Sequence, residues 1–196
     1  MKQKDVIAAG SDWTDKMILE FPGSPWKRIG QDWMLISAAE VSTDKGNWNT
    51  MTASWGGLGV LWSRDVAFMF IRPSRHTYGF VNSAPIFTLS FFDEAHRKAL
   101  SLCGEKSGRD IDKAAEAGLT PVYFDGIGGA VSSNAVSSNA ISFKEASDII
   151  ICKKIYSHDF DPSLFLDPPS IEKSYHGKDY HRLYIGEIIN YKTHRS

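Results

Sequence analysis

The sequence contains few cysteines and no excess of charge of either sign. Its 196 residues include only two cysteines, Cys103 and Cys152, which lie far apart, so the chain lacks the disulfide framework of small secreted domains. Neither a Cys-x-x-Cys pair nor a Cys/His zinc spacing occurs. Lys and Arg number 22 against 23 Asp and Glu, a net charge of −1, which argues against a strongly basic nucleic-acid binder and leaves room for a local basic pocket.

Long hydrophobic runs are also missing. The longest, at 66–71 and 149–152, are far shorter than the ~20 residues that span a bilayer. After Lys2 and Lys4 the apolar stretch is too short for the hydrophobic region of a signal peptide. Together with the sparse cysteines, these absences predict a cytoplasmic protein with neither a membrane nor a nucleic acid as partner.

The chain is long enough for one domain with its own core. Hydrophobic residues make up 42% of it and charged residues 23%, which is ordinary for a folded globular protein. Residues 1–30 are mixed in character and include a Phe-Pro-Gly-Ser-Pro stretch at 21–25 that predicts a lead-in loop. We therefore expect an N-terminal arm over 1–30 and a single domain over 31–196.

Strand patterns outnumber helix patterns. Helices are predicted mid-chain at 77–82, 94–102 and 111–117, the last ending at Gly118. Because strands and helices do not alternate, the order favours an antiparallel α+β or barrel fold over a doubly wound sheet. Apolar or β-prone runs predict strands at 33–41, 49–55, 58–62, 66–72 and 86–92, with further strand material in 141–156 and 182–191.

Two stretches predict irregular structure. A tandem Val-Ser-Ser-Asn-Ala repeat at 131–140, with a partial copy at 141–143, is typical of a surface loop or hairpin and is far too short for a solenoid unit. The segment at 159–181 is rich in proline. We assign no function to the repeat.

Hydroxyl side chains alternate along the predicted strand at 49–55. Thr50, Thr52 and Ser54 lie two residues apart, so a strand projects them onto one face. A row of hydroxyls can bind a polyol or the edge of a heterocycle. The same spacing also fits a solvent-facing stripe.

Two cationic clusters follow along the chain. Arg72, Ser74, Arg75 and Thr77 come directly after a predicted buried strand and could form a phosphate cradle, although solvated arginines beside a capping hydroxyl are the alternative. The second cluster, at 103–110, connects two predicted helices. It fails the P-loop pattern because glutamate precedes its Lys-Ser pair, and it is either an anion contact or a plain polar connection.

Taken in order, these segments resemble the flavin reductase-like, FMN-binding split-barrel family, particularly its flavoredoxin-type members. The segments at 88–92 and 180–188 complete the resemblance, which covers about residues 30–190. It implies a mainly β or α+β fold: a split β-barrel with Greek-key character and short peripheral helices. It also implies a homodimer that holds FMN near the subunit interface.

The resemblance implies a set of cofactor contacts as well. The phosphate would be held on one side by the first cationic cluster and closed on the other by Lys106 and Ser107. Ser90, Phe91 and Phe92 would border the flavin. The ribityl chain and ring would run along Asn49, Thr50, Met51, Thr52, Ala53, Ser54 and Trp55.

The electron donor is left open by a departure from the family pattern. Shorter members carry a Gly-Asp-His element, tied to nicotinamide binding, before an Ile-Gly-Glu strand. Here residues 177–187 read GKDYHRLYIGE, which retains His181 and Glu187 without the compact spacing. His181 is thus the candidate catalytic residue. His176 and His181 have no metal-ligand spacing, and we expect no metal site.

Three functions are compatible with these features. The first is an FMN-dependent oxidoreductase that passes electrons from NAD(P)H, or another donor, to a flavin or a protein acceptor. The second is an FMN-binding carrier or electron-transfer protein without turnover of its own. The third is a barrel that binds another phosphorylated ligand through Arg72 and Arg75.

Overall fold

A computed structural model describes residues 7–40, 47–125, 127, 140–176 and 178–194. Short 3-10 turns occur at Ile18–Glu20, Glu94–His96 and Pro162–Leu164. The helices are α1 (Pro25–Gly30), α2 (His76–Ser83), α3 (Arg97–Glu105), α4 (Lys113–Ala117) and α5 (Pro168–Ser174). The strands are β1 (Ile7–Ala8), β2 (Trp13–Lys16), β3 (Met34–Ala39), β4 (Trp48–Ala53), β5 (Gly56–Leu61), β6 (Arg64–Ile71), β7 (Ile86–Phe91), β8 (Pro121–Phe124), β9 (Ala140–Phe143), β10 (Asp148–Asp159) and β11 (Arg182–His194).

The described strands form two open sheets. The larger sheet has the order β4-β3-β7-β10-β11-β6-β5, with β2 paired to β11, and all its pairings are antiparallel. The smaller sheet has the order β1-β8-β9. Neighbours such as β3 and β7, or β6 and β11, are distant along the chain, which gives the fold its Greek-key character. The mainly β architecture with short peripheral helices agrees with the prediction.

The strand β11 makes more pairings than any other described strand. It pairs with β10 along its length, with β6 through 182–187, and with β2 through 191–194. Register shifts between Ile151 and Cys152 and between Lys154 and Tyr156 interrupt the β10–β11 ladder. Such bulges bend a strand and increase its twist. The bends accompany the change of partner along β11, which pairs with β6 in its first half and with β2 at its end.

The central strands are buried on both faces. Leu35, Ile149 and Ile151 belong to one hydrophobic cluster, whereas Ile36 and Ile150 belong to another on the opposite face. Because successive strand residues point to opposite faces, β3 and β10 contribute to both clusters. This is why these strands appear in the sequence as continuous apolar runs.

Most predicted elements are present, and the differences have physical causes. The predicted strands from 33 to 92 correspond to β3–β7, and α4 ends at Gly118, which adopts the left-handed conformation with φ of 68°. The short elements β1, β2, α1 and β8 were not predicted because so few residues carry no clear periodicity. The helix α5 lies in the stretch predicted to be irregular. No described helix is long and apolar enough to cross a membrane.

The repeat region is only partly described. Most of it, residues 128–139, lies outside the described residues. The end of the second copy and the partial copy form β9, all four of whose residues are buried. Of the two alternatives predicted for the repeat, a surface loop is wrong at 140–143, because these residues pair antiparallel with β8 and pack in the core. The pairing agrees with the hairpin alternative and with the strand predicted within 141–156.

Gly186 lies where β11 passes closest to the core. A Cβ atom at this position would lie 2.4 Å from Cζ of Phe87 and 2.7 Å from Cβ of Cys152. Both neighbours are fully buried, so neither can move into solvent. A side chain at 186 must therefore displace the strand or the ring of Phe87.

We predict that Gly186→Ala lowers the free energy of unfolding by about 1–3 kcal/mol, the usual cost of overpacking. Gly79→Ala is the matched control, because a Cβ at Gly79 meets no atom within 4 Å and alanine favours the helix α2. Urea denaturation measures both. Equal stability of Gly186→Ala and the wild type would contradict the close packing.

Candidate functional site

Two adjoining cavities open where β4 and β6 end and α2 begins. Their volumes are about 220 and 190 Å³, and they share Met51 and Arg75. Neither alone reaches the ~300 Å³ typical of ligand sites, but the two joined do. The first, which we call the aromatic cavity, is lined by Met51, Thr52, Ala53, Ser54, Trp55, Phe70, Arg72, Arg75 and His181. The second, the basic cavity, is lined by Met51, Ser74, Arg75, His76, Thr77, Glu105, Lys106, Ser107, Arg109 and Lys113.

The basic cavity concentrates positive charge in a chain of nearly neutral balance. Arg75, Lys106, Arg109 and Lys113 line it, opposed by the carboxylate of Glu105. The first turn of α2 also lines it, and a helix N-terminus carries a partial positive charge. The cavity therefore favours an anion with several negatively charged oxygens, such as a phosphate.

Hydrogen bonds and close packing connect the walls of the basic cavity to the strand β4 behind them. Asn49 is buried, and its Nδ2 donates to Oγ1 of Thr77 at 2.8 Å. The loop at 106–112, between α3 and α4, packs onto the same side chain, since a Cβ at Gly108 would lie 2.1 Å from Oδ1 of Asn49. Nζ of Lys113 donates to the carbonyls of Thr50 at 2.9 Å and Cys103 at 2.7 Å. Asn49 thus supports the cavity without lining it.

Arg72 and Ser74 bind a connecting segment that leads from α5 to β11, with described residues 174–176 and 178–181. The Arg72 guanidinium donates to the carbonyls of Ser174 at 2.7 Å and Asp179 at 3.2 Å. The backbone N–H and the hydroxyl of Ser74 donate to the carboxylate of Asp179 at 3.3 and 2.5 Å. Asp179 therefore occupies two donors that the sequence assigned to a phosphate.

Arg75 reaches both cavities. Its Nη1 donates to the carbonyl of Gly104 in the last turn of α3 at 3.0 Å, which fixes the side chain beside the loop at 106–112. A guanidinium has five N–H groups in a planar fork, so one such bond leaves capacity for a ligand. Arg109 approaches from the same loop and donates to the carbonyl of Ser74 at 3.4 Å.

His181 lies at the buried side of the aromatic cavity. Its Nδ1 is 2.8 Å from the hydroxyl of Tyr175, and its ring centroid is 5.1 Å from that of Trp55. Burial lowers the pKa of His181 to about 4, and the positive charges of Arg72 and Arg75 act in the same direction, against Asp179. The imidazole is therefore neutral at neutral pH. Trp55 is 49% exposed and forms the open edge of the cavity rather than part of the core.

Several predicted contacts do not line either cavity. The hydroxyl of Thr50 bonds to Ser37 at 2.8 Å and to the carbonyl of Ile36 at 3.1 Å. Ser90 is fully buried and bonds to the Ser142 hydroxyl at 2.7 Å. Phe91 and Phe92 lie in the hydrophobic core. The structure therefore brings Met51, Thr52, Ala53, Ser54, Trp55, Arg72, Ser74, Arg75, Thr77, Lys106, Ser107 and His181 together, and leaves Asn49, Thr50, Ser90, Phe91 and Phe92 behind the cavity walls.

Sequence reasoning missed Phe70, Lys113, Tyr175 and Asp179. Phe70 is one of a run of apolar residues in β6, and its partial burial, shared with Phe68, does not single it out. Lys113 looks like a surface residue of a short helix, yet it is 5% exposed. Tyr175 and Asp179 lie in the proline-rich stretch, where no periodicity indicates which residues face a site.

Metal and thiol chemistry find no support among the described residues. No group of three or more His, Cys, Asp or Glu side chains in that part of the chain could hold a metal ion. Cys103 is fully buried, and burial raises the pKa of its thiol to about 11. The thiol stays protonated at neutral pH, so Cys103 behaves as a small apolar side chain.

We predict that His181 makes the folded state sensitive to acid. Its pKa is about 4 when folded and near 6.5 when unfolded, so between these values the unfolded chain binds a proton that the folded chain does not. Stability is therefore full above about pH 6.5 and falls as the pH drops toward 4. His181→Asn should flatten this decline by roughly 1–3 kcal/mol, whereas the exposed His176→Asn should not. Urea denaturation of the wild type and the variants at several pH values from 7 to 4 measures how the free energy of unfolding changes with pH. Parallel curves for the wild type and His181→Asn would refute the role of His181.

Solved structures with the same fold support this architecture. An FMN-binding domain of a flavin reductases-like enzyme from Shewanella baltica matches with a TM-score of 0.59 at 15% identity, over 93% of this chain and 77% of that one. Flavoredoxin of Desulfovibrio vulgaris matches with a TM-score of 0.55 at 20% identity, over 82% and 68%. An NADH:FAD oxidoreductase of Streptomyces globisporus, solved with NAD and FAD fragments, matches with a TM-score of 0.52 at 13% identity, over 84% and 74%. The predicted split-barrel fold is thereby confirmed.

The sequence itself settles the family. No curated protein matches the chain. The family model described as a flavin reductase like domain matches residues 26–196, which is most of the chain and includes both cavities. The chain belongs to the flavin reductase-like family.

Proposed function

We propose that the protein binds FMN and acts as an oxidoreductase of the flavin reductase type, moving electrons from NAD(P)H or another donor to a flavin or protein acceptor. The observation that carries this proposal is the junction of a basic and an aromatic cavity through Met51 and Arg75. A ligand with an anionic tail and a planar ring fits such a pair. When bound, FMN supplies hydride and electron-transfer chemistry, while the protein binds and orients it.

The phosphate is assigned to the basic cavity. Arg75 and Lys106 supply charge, and Ser107 and Thr77 supply hydroxyls on the two sides. Guanidinium groups bind phosphate oxygens in pairs, which gives orientation as well as affinity. A phosphate that reached the donors of Ser74 would have to compete with the carboxylate of Asp179.

The ring is assigned to the aromatic cavity. Trp55 and Phe70 provide flat apolar walls there, while Thr52, Ala53 and Ser54 line the end of β4. The hydroxyl of Thr52 donates to the carbonyl of Leu100 at 2.5 Å, so this residue shapes the wall rather than offering a free proton. The charges of Arg72 and Arg75 favour a ligand on which negative charge develops, as it does when a flavin is reduced.

The relatives support the cofactor more strongly than the donor. One neighbour is an FMN-binding domain, and another was solved with NAD and FAD fragments. For this chain we propose FMN as the cofactor and a nicotinamide as one possible electron donor. The homodimer, the cytoplasmic location and the arm at 1–30 likewise remain predictions.

A carrier or electron-transfer role is the second candidate. The stretch before β11 lacks the compact Gly-Asp-His spacing, and Asp179 is engaged with Ser74. A flavoredoxin is among the structural neighbours. This candidate shares the FMN site with the first and differs only in the response to nicotinamides. A different phosphorylated ligand would use the basic cavity and have no need of the aromatic one.

We predict that Arg75→Ala weakens FMN binding about 30-fold, or about 2 kcal/mol, because it removes a charged contact shared by both cavities. Fluorescence titration of FMN measures the dissociation constant. Arg64→Ala is the control, since Arg64 lies at the other end of β6 and pairs with Glu187 at 3.1 Å. Unchanged affinity in Arg75→Ala would remove the phosphate assignment. Wild-type protein that stays colourless after incubation with FMN and desalting would argue against a tightly held cofactor.

We also predict that NADH or NADPH bleaches the flavin absorbance of the FMN-loaded protein within seconds under anaerobic conditions. Stopped-flow absorbance near 450 nm, about the flavin maximum, records the change. Free FMN with the same nicotinamide is the control. Tight FMN binding without bleaching by either nicotinamide would favour the carrier.

A further inference from the structure

The connecting segment carries a buried tyrosine–histidine pair that the cofactor assignment does not use. The hydroxyl of Tyr175 lies 2.8 Å from Nδ1 of His181, and both residues are less than 10% exposed. His181 lines the aromatic cavity, whereas Tyr175 lies behind it. The pair therefore links the wall of the cavity to the segment that supports it.

We propose that Tyr175 is a positioning residue: its hydroxyl donates to Nδ1 of His181, keeps the imidazole proton on Nε2, and makes His181 a neutral hydrogen-bond donor to the aromatic cavity. A neutral imidazole has one donor and one acceptor nitrogen, and the bond at one nitrogen fixes the role of the other. The matching ligand group is an acceptor oxygen, such as a carbonyl or carboxamide on a planar ring. This consequence rests on the proposed function.

The surroundings of Tyr175 favour donation by its hydroxyl. Burial raises the pKa of the phenol, so the proton stays on the oxygen at neutral pH. A buried hydroxyl proton needs an acceptor, and Nδ1 lies at hydrogen-bond distance. The opposite arrangement, with the proton on Nδ1, would leave the hydroxyl proton without that acceptor.

The pair is held in place from several sides. The guanidinium of Arg72 lies 5.0 Å from the centre of the Tyr175 ring and also binds the carbonyls of Ser174 and Asp179. The rings of Phe165 and Tyr180 lie 5.9 and 5.0 Å from that of Tyr175. Arg72 therefore holds Tyr175 and the connecting segment in place beside His181.

The charges that face His181 oppose its protonation. Arg72 and Arg75 lower the pKa of the imidazole, Asp179 raises it, and burial has the largest effect, toward the neutral form. The hydroxyl of Tyr175 adds a donor at Nδ1, which a doubly protonated imidazole cannot accept. The cavity thus presents an N–H group at this position rather than a third cation.

The direct test is nitrogen NMR of the full chain with 15N-labelled histidine, with no ligand added. In the wild type at pH 7, His181 should show an unprotonated Nδ1 and a protonated Nε2. In Tyr175→Phe both nitrogen shifts should move toward the averaged values of two exchanging tautomers, and the pKa of His181 should rise. Tyr180→Phe keeps the neighbouring ring, removes a hydroxyl that does not bind His181, and should leave both shifts unchanged.

Two outcomes overturn the proposal: a proton on Nδ1 in the wild type, or unaltered His181 shifts in folded Tyr175→Phe. The wild-type spectrum decides the point even if the variant fails to fold. Because no cofactor is present, failure of this test is distinct from failure to bind FMN. In FMN-loaded protein, Tyr175→Phe should slow reduction by nicotinamide about tenfold, with less than about a threefold change in FMN affinity. If Tyr180→Phe slowed reduction of the bound FMN as much as Tyr175→Phe does, the role of Tyr175 would be structural only.

Discussion

The pairing of β11 with β10, β6 and β2 is the constraint on which the site depends. The strand begins at Arg182, directly after His181, so its register against β6 determines where the histidine meets the ends of β4 and β6. Gly186 permits this register because its backbone packs against Phe87 and Cys152 without room for a side chain. The core thus fixes the cavity wall through a single strand.

Arg72 illustrates how much of the site a sequence can predict. It was singled out because it follows a buried strand, and the structure places it in the wall of the aromatic cavity, beside the cationic side chains of the basic cavity. Its partners Ser174 and Asp179 lie more than a hundred residues away, in a stretch without periodicity. Contacts of that kind arise from tertiary packing, which local patterns do not encode.

Strands buried on both faces set a second limit on how much of the site the sequence can predict. Alternation distinguishes an inner from an outer face only where one face meets water. Along β7 every residue is buried, so nothing in the sequence indicates that Ser90 points to Ser142 instead of the cavity. Along β4 the limit is a different one: Thr50 and Thr52 are two residues apart and were predicted on one face, yet Thr50 is sealed beside Ser37, whereas Thr52, nearer the end of the strand, lines the cavity. The strands β3–β7, by contrast, were predictable from their apolar or β-prone runs, and the end of helix α4 was predictable from Gly118.

Because Arg75 borders both cavities, the two halves of the site share one charge. An anion in the basic cavity would neutralise part of the field that the same guanidinium exerts on the aromatic cavity. By thermodynamic reciprocity, a change in the charge of a ring bound in the aromatic cavity would alter the affinity of the basic cavity for an anion. In the proposed complex with FMN, occupancy of the basic cavity and the electron affinity of the ring would be coupled through this one side chain, with no movement of the backbone required.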